Sequence, residues 1–322
     1  GHGNAASNLG RLLEEQGALA EAEAAYRRAD ELGDSTGAFH LGLLLAGQGG
    51  VGEAQAAYGR ADQRGHGTAA SNLGRLLEEQ GALAEAEAAY RRADERGDAE
   101  GAFRLGTLLR GRGAVDEAAA AYGRASGRGH NGAALDLGVL LVEHDEPAAA
   151  ETAFRHADER GDAVAAFNLG VLLERRGVLD EAEAAYRRAD ERGDAEGAFR
   201  LGTLLRGRGA VDEAAAAYGR GGDRGHNGAT LDLGVLLVEH GAPAAAETAF
   251  RRADERGDAV AAFNLGVLLE ERGALAEARA AYRRAEQRDD SEAADMARAA
   301  LVDLGQHAPE ASAGRARQAQ RV

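Results

Sequence analysis

A strict period of 32 residues constrains this chain more than any other feature. The pair Leu-Gly recurs nine times at that spacing, and an aromatic residue follows each of those leucines 17 residues later. A repeat this short cannot bury a core alone, so neighbouring repeats must stack and share one. The sequence therefore predicts a tandem array. The pairs are Leu9-Gly10, Leu41-Gly42, Leu73-Gly74, Leu105-Gly106, Leu137-Gly138, Leu169-Gly170, Leu201-Gly202, Leu233-Gly234 and Leu265-Gly266.

Each repeat has the pattern of two amphipathic helices. Leu9 and Leu13 share one face of the first helix, and Ala22, Tyr26 and Ala29 recur at helical spacing along the second. Neither stripe can be buried within one repeat. The expected fold is therefore all-α, a right-handed α-solenoid of about nine helix–turn–helix units with a capping helix at its C-terminal end.

The links between the helices carry start and stop signals. Gly33 is placed to end a helix and Asp34 to cap the next one. Pro147 and Pro243 fall in the first turn of a second helix, where a missing N–H costs little. These signals set the helix boundaries in every repeat.

The chain divides into three predicted segments. The repeat array covers residues 1–290, a capping helix covers 291–305, and a flexible tail covers 306–322. Within the array, residues 97–192 and 193–288 differ at only 13 of 96 positions. A block of three repeats has therefore been duplicated.

The glycine of each Leu-Gly pair lies inside a helix, where it costs about 1 kcal/mol relative to alanine. Its presence in all nine repeats predicts that the paired helix approaches too closely there for a larger side chain. Replacing Gly170 with leucine is expected to overpack this contact.

Composition and charge exclude several classes of protein. The chain has no cysteine, and its 38 basic and 54 acidic residues give a net charge of −16. Disulfide frameworks and cysteine-based zinc sites are excluded, and general nucleic-acid binding is disfavoured. No apolar run is long enough to cross a membrane. A cytoplasmic protein is expected, and the Ala/Gly/Arg-rich composition without lysine indicates a bacterial source of actinobacterial type.

No arrangement of residues indicates catalysis. His66, His130 and His226 occupy the same link in different repeats, which favours a turn role. His144 and His240 each follow a glutamate but lack the second histidine of a zinc-protease motif. We therefore expect no enzyme activity, no metal and no cofactor.

These residues resemble the tetratricopeptide repeat over about residues 3–290. The segment Phe263-Asn264-Leu265-Gly266, followed by Leu269, Gly273, Tyr282 and Ala285, matches that family's order and spacing. The unit has 32 residues instead of 34, and its Ala-x-x-Leu-Gly start is more similar to the related Sel-one-like repeats.

The resemblance implies that a peptide or partner helix binds on a concave groove formed by the first helices. The alternative is that the apolar members of this set pack as core between neighbouring first helices, and the two roles can overlap. The implied contact residues are Phe39, Phe103, Leu135, Phe167, Phe199, Leu231, Phe263, Arg11, Arg75, Arg110, Arg206, Asn168 and Asn264.

The first functional hypothesis is a non-enzymatic interaction scaffold that binds a protein segment. The second is a regulatory arm of a larger signalling protein, because Gly1-His2-Gly3 echoes Gly65-His66-Gly67 and no methionine begins the chain. The third is a structural spacer or an array that self-associates end to end. Arg315, Arg317 and Arg321 in the tail suggest a nucleic-acid or membrane role only weakly.

Overall fold

A computed structural model describes residues 1–288 and 292–306, and these residues form 19 α-helices and no strand. They divide into two compact units, Gly1–Arg160 and a second that begins at Gly161. The division falls at a repeat boundary. We call the odd-numbered helices first helices and the even-numbered ones second helices.

The first unit contains five helical hairpins. Its helices are α1 His2–Glu15, α2 Leu19–Glu31, α3 Ser35–Gly47, α4 Val51–Gln63, α5 Gly67–Glu79, α6 Leu83–Glu95, α7 Ala99–Gly111, α8 Val115–Gly127, α9 Ala133–Glu143 and α10 Pro147–Glu159.

The second unit contains four hairpins and a final single helix. Its helices are α11 Ala163–Arg175, α12 Leu179–Glu191, α13 Ala195–Gly207, α14 Val211–Asp223, α15 Asn227–Glu239, α16 Pro243–Glu255, α17 Ala259–Glu271, α18 Leu275–Arg288 and α19 Glu292–Gln306.

The links have the predicted caps. Gly33 has φ of 84°, which lets its N–H and that of Asp34 turn back to the carbonyls of Asp30 and Ala29 at 2.9 and 3.0 Å. The Asp34 carboxylate then accepts the N–H of Gly37 at 3.0 Å and begins α3. Pro147 begins α10, as its position in the sequence predicts.

The core of each hairpin is an aromatic ring packed on a glycine. The repeated tyrosine or phenylalanine of every second helix is at most 2% exposed. A β-carbon added to the glycine of each Leu-Gly pair would lie only 2.4–2.7 Å from that ring. The predicted close approach is therefore confirmed, and the group that requires it is the aromatic ring of the same repeat.

The last helix, α19, lies in the place of a tenth first helix. Ala297 and Ala300 are buried on the face of α19 that packs on the preceding hairpin, in one core cluster with Phe263. Arg298 stands where the other first helices have glycine, and it is on the exposed side. The predicted tail at 306–322 lies outside the described residues except for Gln306, which ends α19.

Membrane-spanning character is absent from the described helices. None of those within residues 1–288 and 292–306 combines the length and the apolar composition that crossing a bilayer requires.

Candidate functional site

The thirteen predicted contact residues all lie on first helices, and in each unit we call the side of the first helices that carries them the first-helix face. Its apolar members are mostly half-buried. Phe263 is buried at 6% exposure, because α19 packs on that part of α17. The half-buried members are Phe39, Phe103, Leu135, Phe167, Phe199 and Leu231.

The phenylalanine rings contact the core while keeping one part exposed. Phe103 lies 5.7 Å from the ring of Tyr122, and Phe167 lies 6.1 Å from that of Tyr186. Such tilted aromatic contacts stabilise a core. The core role considered for these rings therefore applies, while their contact with a partner stays a prediction, and a substitution at Phe167 would disturb packing as well as surface.

Histidines cover three of the phenylalanines. The rings of His66 and Phe39 stack with their centroids 4.4 Å apart, as do those of His226 and Phe199. The Nδ1 atoms of these two histidines also accept the N–H groups of Ala69 and Ala229, at 3.2 and 2.9 Å, and so begin α5 and α15. The predicted turn role is confirmed for both.

His130 has a different arrangement at the same link. Its ring stacks on Phe103 at 4.0 Å, and its Nε2 lies 3.2 Å from the Glu100 carboxylate. Helix α9 begins only at Ala133, so Nδ1 of His130 is buried without a hydrogen-bond partner among the described residues. Three-residue groups of His, Asp or Glu that could hold a metal do not occur in residues 1–288 and 292–306.

The four predicted arginines are all paired with glutamates. Arg11 and Arg75 bond to glutamates on their own helices, at 2.5 and 2.6 Å. Arg110 reaches from α7 to Glu143 of α9 at 2.6 Å, and Arg206 makes the equivalent bridge from α13 to Glu239 of α15 at 2.7 Å. The duplicated block thus places one bridge between first helices in each unit.

Tyrosine hydroxyls hold further glutamates on the first-helix face. Tyr26 donates to Glu14 at 2.7 Å, and Tyr186 donates to Glu174 at 2.5 Å. Burial raises the pKa of the Tyr186 hydroxyl, and its hydrogen bond to Glu174 raises the pKa further. The hydroxyl therefore stays a donor, and the carboxylate is fixed in place.

Asp232 and the two predicted asparagines occupy the same repeat position. Asn168 is half-buried and Asn264 is 6% exposed. Asp232 is half-buried, and burial raises the pKa of its carboxyl although Arg206 acts against the rise. Side chains at this repeat position are therefore less exposed to solvent than we expected for residues that contact a bound peptide.

A second charged array, on the second helices, was not predicted. Asp94 is 5% exposed and accepts from Arg124 of the next second helix, α8, at 2.5 Å and from Arg128, which directly follows α8, at 2.6 Å. The sequence signal is the motif Arg-x-Asp-x-Arg, which occupies the same repeat position at 60–64, 92–96, 188–192 and 252–256. Equivalent pairs in the described residues involve Asp30 with Arg60 and Arg64, Asp62 with Arg92 and Arg96, Asp190 with Arg220 and Arg224, and Asp254 with Arg284 and Arg288.

Comparison with protein families gives one match. A family model described as the tetratricopeptide repeat matches more than half of the chain, at residues 1–35, 39–102, 135–198, 199–260 and 231–294. No curated protein matches the sequence.

Several solved structures are similar to this chain. A Sel1 repeat protein from Oxalobacter formigenes is 21% identical and has a TM-score of 0.64, with 85% of this chain and 89% of that chain covered. The c5321 antigen of uropathogenic Escherichia coli, which has an SLR fold, is 23% identical with a TM-score of 0.43, covering 94% and 80%. YrrB, a tetratricopeptide repeat protein with an unusual peptide-binding site, is 23% identical with a TM-score of 0.41, covering 52% and 92%. The first of these likenesses places the chain among the α-solenoids.

Proposed function

Because the chain belongs to the tetratricopeptide repeat family, we propose that it is a non-enzymatic scaffold that binds a protein segment on its first-helix face. Repeats of this fold commonly mediate protein–protein interactions and typically have no catalytic role. A peptide or a partner helix is the expected ligand, in a cytoplasmic setting and without a cofactor.

The observation that carries the proposal is exposed apolar surface beside fixed charge on the first-helix face. Val142 is 38% exposed and occupies the repeat position of Arg110 and Arg206. Its neighbour Glu143 forms the bridge to Arg110. An apolar contact next to an oriented ion pair gives a bound segment both burial and direction.

Leu43 extends this surface within the first unit. It is 40% exposed and occupies the repeat position of Arg11 and Arg75, so charged and apolar side chains alternate at this position along α1, α3 and α5. Partner helices that carry apolar anchors every three or four residues suit such a face.

The test is a selection of random peptides displayed on phage, followed by fluorescence anisotropy with the recovered peptides. Val142→Glu is expected to weaken their binding at least tenfold. Leu83→Glu is the matched control, because Leu83 is 53% exposed at the start of a second helix in the same unit. A selection that yields no binders, or equal loss in both variants, would contradict the proposal.

Self-association is a second candidate, favoured by one observation at α1. Leu9 and Leu12 are 51% and 48% exposed, whereas their counterparts Leu41 and Leu44 on α3 are 1% and 8% exposed. A second copy that covers α1 would bury this surface. Light scattering should then show a mass that rises with protein concentration, and Leu9→Glu should abolish the rise.

A further inference from the structure

The second helices are linked by arginines that bond to two glutamates each. Arg251 of α16 bonds to Glu247, four residues earlier on its own helix, at 2.8 Å and to Glu277 of the next second helix at 2.9 Å. Arg27 and Arg91 reach the next second helix in the same way, at 2.9 and 3.1 Å. Each of these arginines therefore lies between two carboxylates.

Arg283 of α18 has the same repeat position but neither of these partners. The residue four positions earlier is Arg279 instead of glutamate, and no second helix follows α18 among the described residues. The Arg283 side chain makes no hydrogen bond or ion pair within that part of the chain. Two arginines one helical turn apart repel each other, so this sequence change is unfavourable unless an anion offsets it.

Helix α19 adds a third arginine to the same place. Arg298 stands where the other first helices have glycine, and it faces the side on which a second helix would pack. It pairs with Asp295 of its own helix, while Arg279 donates to the backbone carbonyl of Leu304. The three arginines thus converge on one side of the α18–α19 pair.

These side chains line an open cleft of about 630 Å³, together with Glu286, Leu301, Val302 and Gly305. Val302 is 56% exposed, which makes it the most exposed large apolar side chain in the described residues. The cleft combines positive charge with apolar surface, on a chain whose net charge is −16.

We propose that the α18–α19 cleft binds an acidic segment of a partner protein. Two carboxylates one helical turn apart on the segment pair with Arg279 and Arg283, and an apolar side chain beside them covers Val302. Pairs of this kind are present between second helices inside the array. There the next second helix places a glutamate beside the arginine that is equivalent to Arg283. Bidentate arginine–carboxylate pairs are among the stronger polar contacts in proteins.

Charge favours a partner protein over residues 307–322 as the occupant of the cleft. Residues 307–322 contain Arg315, Arg317 and Arg321 but only one acidic side chain, Glu310. That segment is basic like the cleft itself. A partner with several carboxylates complements the cleft better.

The test selects displayed peptides on the whole protein and removes those that also bind the Arg279→Glu/Arg283→Glu variant. Segments that bind the first-helix face are lost in this step, so the result is independent of the function proposed above. Peptides with two acidic residues one helical turn apart and a neighbouring apolar residue are expected. Their affinity, measured by anisotropy, should fall at least tenfold in the variant and also with added salt.

Two controls make the result decisive. Arg28→Glu changes an exposed arginine on α2 that pairs only with Glu31 among described residues, and it should leave binding unchanged. A recovered peptide with its two acidic residues changed to arginine should bind the charge-reversed variant in place of the original protein.

Recovery of no acidic peptide, or equal binding to both proteins, would overturn the proposal. A concentration-dependent mass that Arg283→Glu abolishes would identify a second copy as the occupant and overturn it too.

Discussion

The ring of Tyr186 occupies the space in which a side chain at residue 170 would begin. A β-carbon on Gly170 would lie 2.6 Å from both Cδ1 and Cε1 of that ring. The tyrosine is 0% exposed, so the ring has no free volume into which it can move. The absence of a side chain at Gly170 therefore allows α11 and α12 to approach closely at this contact.

Gly170→Ala is expected to destabilise the protein by about 1–3 kcal/mol, because overpacking outweighs the gain of about 1 kcal/mol in helix propensity. The measurement is urea unfolding followed by circular dichroism. Gly219→Ala is the matched control, since Gly219 lies inside α14 with nothing within 4 Å of an added β-carbon. That variant should be as stable as the original protein or more so. Equal effects at the two positions would contradict the close-approach explanation.

Asp94→Ala is expected to destabilise the first unit by about 1–3 kcal/mol, because it removes hydrogen bonds from Arg124 and Arg128 to a buried carboxylate. Burial acts to raise the pKa of Asp94, but the two arginines outweigh it and hold the pKa below its usual value. Glu15→Ala, which removes the partner of Arg11 in a largely exposed pair, should change stability by no more than about 0.5 kcal/mol. Similar losses of stability in both variants would show that the buried ion pairs stabilise the protein no more than the exposed one does.

The sequence predicts the helices and their caps well, because each depends on residues within one repeat. Gly33 and Asp34 lie next to the helix ends that they determine. The bonds between Asp94 and Arg124 were missed because their 30-residue separation becomes a contact only through the stacking of two repeats. The burial of Phe263, unlike that of its counterparts, depends on α19 packing beside α17. The 32-residue period alone does not predict this difference, because it treats all repeats as equivalent.

Stability is expected to fall as the pH drops from about 6.5 towards 5, partly through His66. Burial lowers the pKa of its imidazole below the usual 6.5, and the nearby charges of His40 and Arg96 lower it further. The carboxylates of Asp98 and Asp34 act in the opposite direction and only partly offset this shift. In this window the unfolded chain binds a proton that the folded protein binds less readily, so acid favours unfolding. Burial also lowers the pKa of His40, which contributes in the same direction.

His66→Asp should reduce this pH dependence. Aspartate caps the equivalent helices α3 and α7, where Asp34 and Asp98 accept backbone N–H groups at 3.0 and 2.7 Å, and it stays ionised across the window. Loss of the stacking on Phe39 should lower stability at pH 7.5. The free energy of unfolding should be measured in urea at pH 7.5 and at pH 5 for both proteins. An unchanged difference between the two pH values would show that His66 does not titrate with unfolding.

Two tyrosine variants separate the value of a hydroxyl bond from that of ring packing. Tyr186→Phe should destabilise the protein by about 1–2 kcal/mol, because Glu174 loses a hydrogen bond of 2.5 Å. Tyr58 is equally buried and faces Asn72, but its hydroxyl lacks a hydrogen bond of normal geometry among the described residues. Tyr58→Phe should therefore be neutral or stabilising, since it removes a buried polar atom whose desolvation is not offset. Urea unfolding of both variants measures the difference, and a loss at Tyr58 as large as that at Tyr186 would mean that the bond to Glu174 contributes nothing.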